Sequence, residues 1–442
     1  METEVTSSNN AANAPEGRQT RPVAILGGNR IPFARSNKAY SKASNQDMFT
    51  AALDGLVSRF SLQNEQIGLV AGGAVLKHSR DFNLIRESVL GSALSPYTPA
   101  IDVQQACGTG LTAISIVADQ IALGRTESGI GGGSDTTSDA PIAVNEDLRS
   151  LLLDLNRAKT TGDRIKLLGN LRPSQLVPAI PTNGEPRTGL SMGEHAAITA
   201  TEFGVSREGQ DELAAASHQN MSKAWDAGFF NDLSTPYLGL TRDDNLRPDS
   251  SAEKLGKLKP VFGNSLGDAT MTAGNSTPLT DGASTVLLAS DEWTAERNIP
   301  VLAYLRDYQT AAVDFIHGPD GLLMAPTYAI PRMLKRNGLS LQDFDFYEIH
   351  EAFASVVLCT LAAFESEEYC KERLGLDGAL GKIDRSKLNV KGSSLAAGHP
   401  FAATGGRIVA STAKMLAENG GGRALVSVCA AGGQGAVAII EA

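Results

Sequence analysis

The chain is poor in the residues that mark several large protein classes. It has four cysteines in 442 residues, and no two are spaced C-x-x-C. That argues against a disulfide framework and against a structural zinc site, so no metal is expected. Few cysteines fit a reducing compartment, and the expected location is cytoplasmic. Aromatic residues make up only 5%. No run of about 18 apolar residues occurs, so no transmembrane helix is expected. Basic residues are outnumbered, and the formal charge of −10 argues against a nucleic-acid partner. A local basic patch can still hold an anionic small molecule. Residues 1–20 lack an apolar core and are not Arg-rich; they read as a disordered tail, not a targeting segment.

What remains is an ordinary globular composition, 42% hydrophobic and 20% charged. The length calls for two or three packed units. Glycine, at 45, is the conspicuous excess. Much of it clusters near Cys107, His399 and Cys429, which suggests backbone brought close to a ligand.

Along the chain, strand-like runs alternate with helix-like ones. Arg21–Leu26, Gly68–Val75, Ala100–Gln104 and Ser128–Asp135 read as strands; Asn45–Ser61, Phe82–Ala93 and Leu111–Leu123 read as helices. The grammar recurs later. Pro300–Leu305, Phe344–Ile349 and Ala424–Cys429 read as strands, with helices around Pro331–Asn337 and Thr404–Leu416. Such alternation predicts an α/β protein with a parallel, doubly covered sheet. The order strand, reactive side chain, small-residue turn, helix, strand, glycine turn occurs at Asp102–Asp135 and again at Asn389–Gly435. We read this as an internal duplication: a first half over 21–142 and 263–295, and a second over 296–442. Between them, 143–262 is proline-punctuated and reads as a loop-rich insertion over the site face. Within it, 148–172 reads as two short amphipathic helices rich in Arg and Lys, suited to a membrane surface or a partner, or to the body of the protein as an ordinary hairpin.

Four side chains sit at analogous strand ends: Cys107, His350, His399 and Cys429. In a parallel sheet such ends share one edge, where ligands bind. Cys107 lies in a glycine turn at a helix N-terminus, where the helix dipole favours a thiolate nucleophile. His399, between Gly398 and Pro400, suits a general base. The turn after Cys429 offers backbone N–H groups for an oxyanion hole, and His350 a second donor. Cys359 and Cys370 lack such turns and read as structural. Two thiols in one site suggest carbon–carbon chemistry on a thioester, whose α-proton needs a positioned base.

Five stretches then form a pattern in order: Gln104-Gln-Ala-Cys-Gly-Thr-Gly110; Thr270-Met-Thr-Ala-Gly-Asn-Ser276 with Asp281-Gly-Ala283; His350-Glu-Ala-Phe353; Gly398-His-Pro-Phe-Ala-Ala-Thr-Gly405; and Cys429-Ala-Ala-Gly-Gly-Gln-Gly435. Together they resemble the thiolase family over about residues 21–442. The resemblance implies a thiolase-like fold of two duplicated α/β halves with covered mixed sheets plus the insertion. It implies thiolytic cleavage of 3-ketoacyl-CoA to acetyl-CoA and a shortened acyl-CoA, with no cofactor beyond the coenzyme A thioester substrates. Cys107 takes the acyl group, His399 activates it, Cys429 moves the α-proton and His350 supports one oxyanion hole. The amides of Cys107 and Ala431 form the other. Ser191, Met192, Asn275, Ser276 and Thr277 match stretches that line the coenzyme A channel, with Arg247, Lys254, Lys257 and Lys259 as candidates for its phosphates.

Many thiolases carry Asn where this chain has His350. The histidine, the Ala-Ala-Gly-Gly-Gln-Gly turn and the basic hairpin look most like the thiolase subunit of trifunctional fatty-acid β-oxidation complexes. That implies a homodimer or tetramer and a hydratase/dehydrogenase partner subunit. Gly108-Thr109 departs from the commoner motif and leaves substrate range open. Alternatives are an acetyl-CoA C-acetyltransferase working in condensation and a ketoacyl-synthase-type condensing enzyme, against which Cys429 speaks. Gly108-Thr-Gly-Leu-Thr-Ala113 fits a dinucleotide fingerprint formally, but lies some 80 residues into the fold. A non-enzymatic scaffold would leave Cys107 inert.

Overall fold

The computed structural model describes residues 20–442; the tail expected over 1–20 lies, but for Thr20, outside the described residues. The first part of the chain forms β1 (Ala24–Arg30), β2 (Ala34–Arg35), α1 (Asn45–Phe60), β3 (Val70–Gly72), α2 (Leu84–Leu90), β4 (Ala100–Asp102), α3 (Thr109–Ala122) and β5 (Ser128–Asp135). Five helices and a small ribbon follow: α4 (Glu146–Arg157), α5 (Thr161–Leu168), α6 (Met192–Glu202), α7 (Arg207–Asp226), α8 (Ala252–Gly256), β6 (Pro260–Phe262) and β7 (Met271–Thr272). The rest is β8 (Thr280–Ala289), α9 (Asp291–Arg297), β9 (Ala303–Ala312), α10 (Pro326–Asn337), β10 (Phe346–Ile349), α11 (Ala354–Glu365), α12 (Glu367–Glu372), α13 (Ser394–Ala397), α14 (Thr404–Asn419), β11 (Arg423–Ala430) and β12 (Gln434–Glu441).

The main sheet runs β10–β11–β12–β9–β1–β8–β5–β3–β4, with β2 paired to β8. It is mixed, not parallel. β3 is parallel to β4 and β5, and β10 to β11, while β8 and β12 run antiparallel to both their neighbours. The parallel expectation missed β8 and most of β12, the strands that return between the βα units. The order β1–β8–β5–β3–β4 has a counterpart in β9–β12–β11–β10, continued by a parallel bridge from Tyr347 to Leu388. The two sets meet where β1 pairs with β9 at Ala24 and Ile25.

Both faces are covered, so the central strands are apolar throughout and their alternate residues enter different cores. Along β8, Val286 and Leu288 pack with α3 and α14; Leu287 and Ala289 pack with α1 and α2. Along β12, Ala436, Ala438 and Ile440 join the first core, while Val437 and Ile439 face α10 and α11. Each such Leu or Ile contributes about 1.5–3 kcal/mol by leaving water.

Helices α3 and α14 cross very closely. A Cβ on Gly110 would lie 2.4 Å from the Ala402 carbonyl oxygen, and one on Gly405 2.3 Å from the Leu111 nitrogen. The glycines of β5 serve the same packing: a Cβ on Gly131 would stand 2.6 Å from the Ile114 Cα. In β5, therefore, glycine admits a helix and not a ligand.

In the inserted segment, α4 and α5 bury no residue. Leu152, Ile165, Leu168, Leu176 and Ile180 are exposed. Among the described residues no helix is long and apolar enough to cross a membrane.

Candidate active site

Cys107 follows β4 in a tight turn. Gly108 N–H donates to the Gln105 carbonyl and Thr109 N–H to that of Ala106, while the Thr109 hydroxyl caps Gln105 N–H at 2.8 Å. The turn places Ala106 at φ +47°, left-handed backbone that a residue with a Cβ adopts at a cost of about 1–3 kcal/mol. That strain is held by the α3 start and by the close crossing with α14.

His399 comes from the opposite half. Its backbone N–H donates to Thr280 Oγ1 at 2.7 Å. Gly398 before it has φ +96°, and a Cβ there would lie 2.5 Å from Thr280 Cγ2, so only glycine fits. His399 Nδ1 is 2.6 Å from Thr404 Oγ1 and Nε2 is 3.0 Å from Cys107 Sγ, across 292 residues of chain. With Thr404 accepting from Nδ1–H, Nε2 is free to accept the thiol proton.

His350 extends the β10–β11 ladder by one residue, its amide donating to the Ser427 carbonyl at 2.8 Å. Its ring centroid is 4.1 Å from that of His399. Nδ1 lies 2.7 Å from Ser394 Oγ, and buried Nε2 has no partner among the described residues. Cys429, at the end of β11, is buried among Met271, Leu322 and Phe353. Thus all four predicted side chains converge.

The electrostatics correct one expectation. Cys107 is not acidified: burial pushes its thiol up to about 12, outweighing hydrogen bonding from the Ala431 and Cys107 backbone. The same burial holds His399 down at about 3, and Arg407 acts in the same direction. The resting pair is therefore neutral thiol and neutral imidazole. Cys429 is raised too, by burial and then by the charge Cys107 would carry.

A cavity of about 660 Å³ opens on Cys107. Its walls include Val75, Leu76, Ile180, Pro181, Leu279 and Phe401, mostly apolar, with the Ala431–Gly432 turn at its floor. Glu185, from the inserted segment, is buried beside it and accepts the Gly432 N–H at 2.7 Å. Of the other predicted residues, Met192 lines this cavity. Ser191 caps α6, accepting from Glu194 N–H. Asn275 is fully buried, donating to Asp211 Oδ1 and accepting from Thr272 N–H. Ser276 Oγ is buried without a partner among the described residues, and Thr277 Oγ1 donates to the Ala352 carbonyl. Arg247 and Lys259 are exposed; Lys254 pairs with Asp249 and Lys257 with Glu253.

Several supporting residues escaped the sequence reading: Thr280 and Thr404 around His399, Ser394 and Arg407 behind His350, and Asp135. The Asp135 carboxylate takes the amides of Val75, Leu76 and Ala402, and burial raises it to about 6. Thr404 lay inside a motif already singled out, five residues after its histidine, and was the one legible signal. Cys359 and Cys370, read as structural, are buried in helices with sulfur to carbonyl contacts only. Chemically, the assembly suits addition of a sulfur to a carbonyl carbon bearing an apolar tail, with a second thiol to exchange a proton.

Comparison with known proteins agrees. The family model described as "Thiolase, N-terminal domain" matches residues 23–292, and "Thiolase, C-terminal domain" matches 299–442. The chain is 40% identical over 425 residues to a 3-ketoacyl-CoA thiolase of Pectobacterium carotovorum, covering 95% of this chain and 96% of that one. A Yersinia enterocolitica 3-ketoacyl-CoA thiolase is 39% identical over 430 residues, 96% and 98% of the two chains. Among solved structures, human mitochondrial 3-ketoacyl-CoA thiolase superposes with a TM-score of 0.78 at 29% identity, covering 96% of this chain and all of that one. The Bacillus anthracis acetyl-CoA acetyltransferase gives 0.79 at 28%, with the same coverage.

Proposed function

This chain belongs to the thiolase family, and from that premise we propose that it is a 3-ketoacyl-CoA thiolase, an acyltransferase acting on coenzyme A thioesters. The observation that carries the reading is the contact of Cys107 Sγ with His399 Nε2 at 3.0 Å, beside an apolar cavity and a second buried thiol.

The chemistry runs in two balanced halves. His399 Nε2 takes the Cys107 proton as the sulfur adds to C3 of the 3-ketoacyl-CoA. The resulting alkoxide meets the amides of Cys107 and Ala431, while the thioester oxygen, which gains enolate charge as C2 leaves, meets the ring N–H of His350. The C2–C3 bond then breaks, its electron pair passes to C2, and the Cys429 thiol protonates that carbon to give acetyl-CoA. Free CoA next loses its thiol proton to Cys429 and attacks the acyl group. Cys107 leaves and recovers its proton from His399. Because the resting pair is neutral, deprotonation accompanies attack.

Ser191, Met192, Asn275, Ser276 and Thr277 belong in this reading to the coenzyme A channel, supported by Met192 on the cavity wall and the unpartnered Ser276 hydroxyl. Arg247 and Lys259, both exposed, are assigned to its phosphates. The units proposed are 21–142 with 263–295, 143–262 and 296–442. The reading extends to a cytoplasmic homodimer or tetramer. A hydratase/dehydrogenase subunit or a membrane surface would meet 148–172, whose exposed Leu152, Ile165 and Leu168 support such a contact.

The test is intact-protein mass after mixing with 3-ketoacyl-CoA. The wild type gains one acyl group, and Cys107→Ala gains none and loses thiolysis; an acylated Cys107→Ala protein would refute the assignment.

A further inference from the structure

Behind the two imidazoles lies a charge that the reaction as written does not use. Arg407, on α14, is 3% exposed. Its Nη2 donates to Ser394 Oγ at 2.9 Å and to Ser393 Oγ at 3.2 Å. Burial lowers Arg407 to about 10, and two buried acidic side chains, Glu348 on β10 and Glu351 just after His350, oppose that and favour its charged form. Ser394 Oγ, fully buried, is 2.7 Å from His350 Nδ1.

The hydrogens in this chain can be assigned by elimination. A guanidinium only donates, so Ser394 Oγ accepts from Arg407. The hydroxyl has one hydrogen of its own, and His350 Nδ1 is its only acceptor among the described residues. Were Nδ1 protonated instead, the serine would accept twice and leave a buried O–H without a partner, which is costly. Nδ1 therefore accepts. Since burial and the neighbouring His399 and Arg407 hold the ring neutral, its single proton is on Nε2. That nitrogen is the buried, unpartnered atom next to His399.

We propose that Arg407, acting through Ser394, is a positioning residue that locks His350 as its Nε2–H tautomer and so makes it an obligatory donor into the site. His399 presents Nδ1 to the Thr404 hydroxyl, a pair in which either atom can donate, and Nε2 to Cys107 Sγ. One imidazole is thereby committed to donating into the site, while its neighbour takes and returns the Cys107 proton. This rests on the reading of His350 as part of an oxyanion hole, and it names what makes that hole competent.

The direct measurement is the tautomer. In the full-length enzyme with ¹⁵N-labelled histidine, or by neutron diffraction, His350 should carry its proton on Nε2. A proton on Nδ1 would overturn the proposal whatever His350 does in turnover. The functional arm uses Ser394→Ala. Loss of the lock should lower kcat about 10- to 100-fold, with KM changed less than about twofold. Alkylation of Cys107, which reports on the His399 side, should stay within about twofold. Ser394→Thr, which keeps the hydroxyl, should restore most of kcat. In a His350→Asn background the side chain donates through an amide and has no tautomer to lock. There Ser394→Ala should cost little further; an equal loss in both backgrounds would mean that Ser394 acts on something other than the His350 proton. His350→Ala tests the oxyanion reading separately: unchanged kcat there would sink that reading, while the tautomer measurement still decides the lock.

Discussion

The two halves of the molecule repeat one strand order, yet they equip it differently. After β4 the first half carries Cys107; at the matching point, before α14, the second carries His399. At the end of β5 stands Asp135, and at the end of β11 stands Cys429. After β3 come Val75 and Leu76, and after β10 comes His350. In the first half the last two positions are spent on structure: the Asp135 carboxylate gathers the Val75 and Leu76 amides, and that of Ala402 from the other half. In the second half the same positions carry the buried Cys429 and His350, beside the Cys107–His399 pair. On the proposed reading the two halves divide the work, the first supplying the nucleophile and the second the groups that move protons and meet the oxyanion.

This division can be broken at either end. After loss of the nucleophile itself, the largest effect is expected in the second half: His399→Ala removes the base and should lower thiolysis about 10³- to 10⁴-fold, read as kcat/KM. Cys429→Ala should leave acylation of Cys107 by acyl-CoA intact but slow hydrogen–deuterium exchange at C2 of acetyl-CoA about 10²- to 10³-fold. Undiminished exchange would remove Cys429 from the proton path. The matched change in the first half, Asp135→Asn, should cost stability first. It sets an amide N–H against backbone donors, about 1–3 kcal/mol by urea unfolding, with a smaller loss of rate.

Alkylation of Cys107 sharpens the contrast further. With the thiol near 12 and His399 near 3, neither group changes state between about pH 5 and 9. The iodoacetamide rate should climb about tenfold per pH unit throughout; a plateau below pH 7 would reveal a preformed thiolate–imidazolium pair instead. The smallest effect is on stability against pH. The unfolded chain protonates His399 below about 6.5 and the native one only near 3, so this group's contribution is lost on acidification. Asp135 has the opposite sign: its native value near 6 lies above the unfolded one, so it gains stability as pH falls from 6 toward 4. His399→Ala should flatten the acid loss and Asp135→Asn should steepen it.

What the sequence made legible was local. Cys107, His399 and Cys429 sit in turns whose small residues are visible in a row, and the strands leading into them are short apolar runs. The helix start beside Cys107 was legible as well, but not the burial that overrides it, because desolvation depends on what packs from elsewhere. The groups that aim the reacting atoms were hidden for the same reason. Asp135 meets Ala402 across 267 residues and Ser394 meets His350 across 44. β8 stands outside the βα rhythm: it returns antiparallel between β1 and β5, a pairing that depends on strands distant in the chain.

Glu185 ties the wall of the cavity to its floor: the loop that shapes the space for an acyl tail also holds the Gly432 amide, one residue from the Ala431 donor. Selectivity and speed are mechanically coupled through that carboxylate. A lineage or an engineer reshaping residues 180–186 to admit a longer or shorter tail would also be retuning the enzyme's clock.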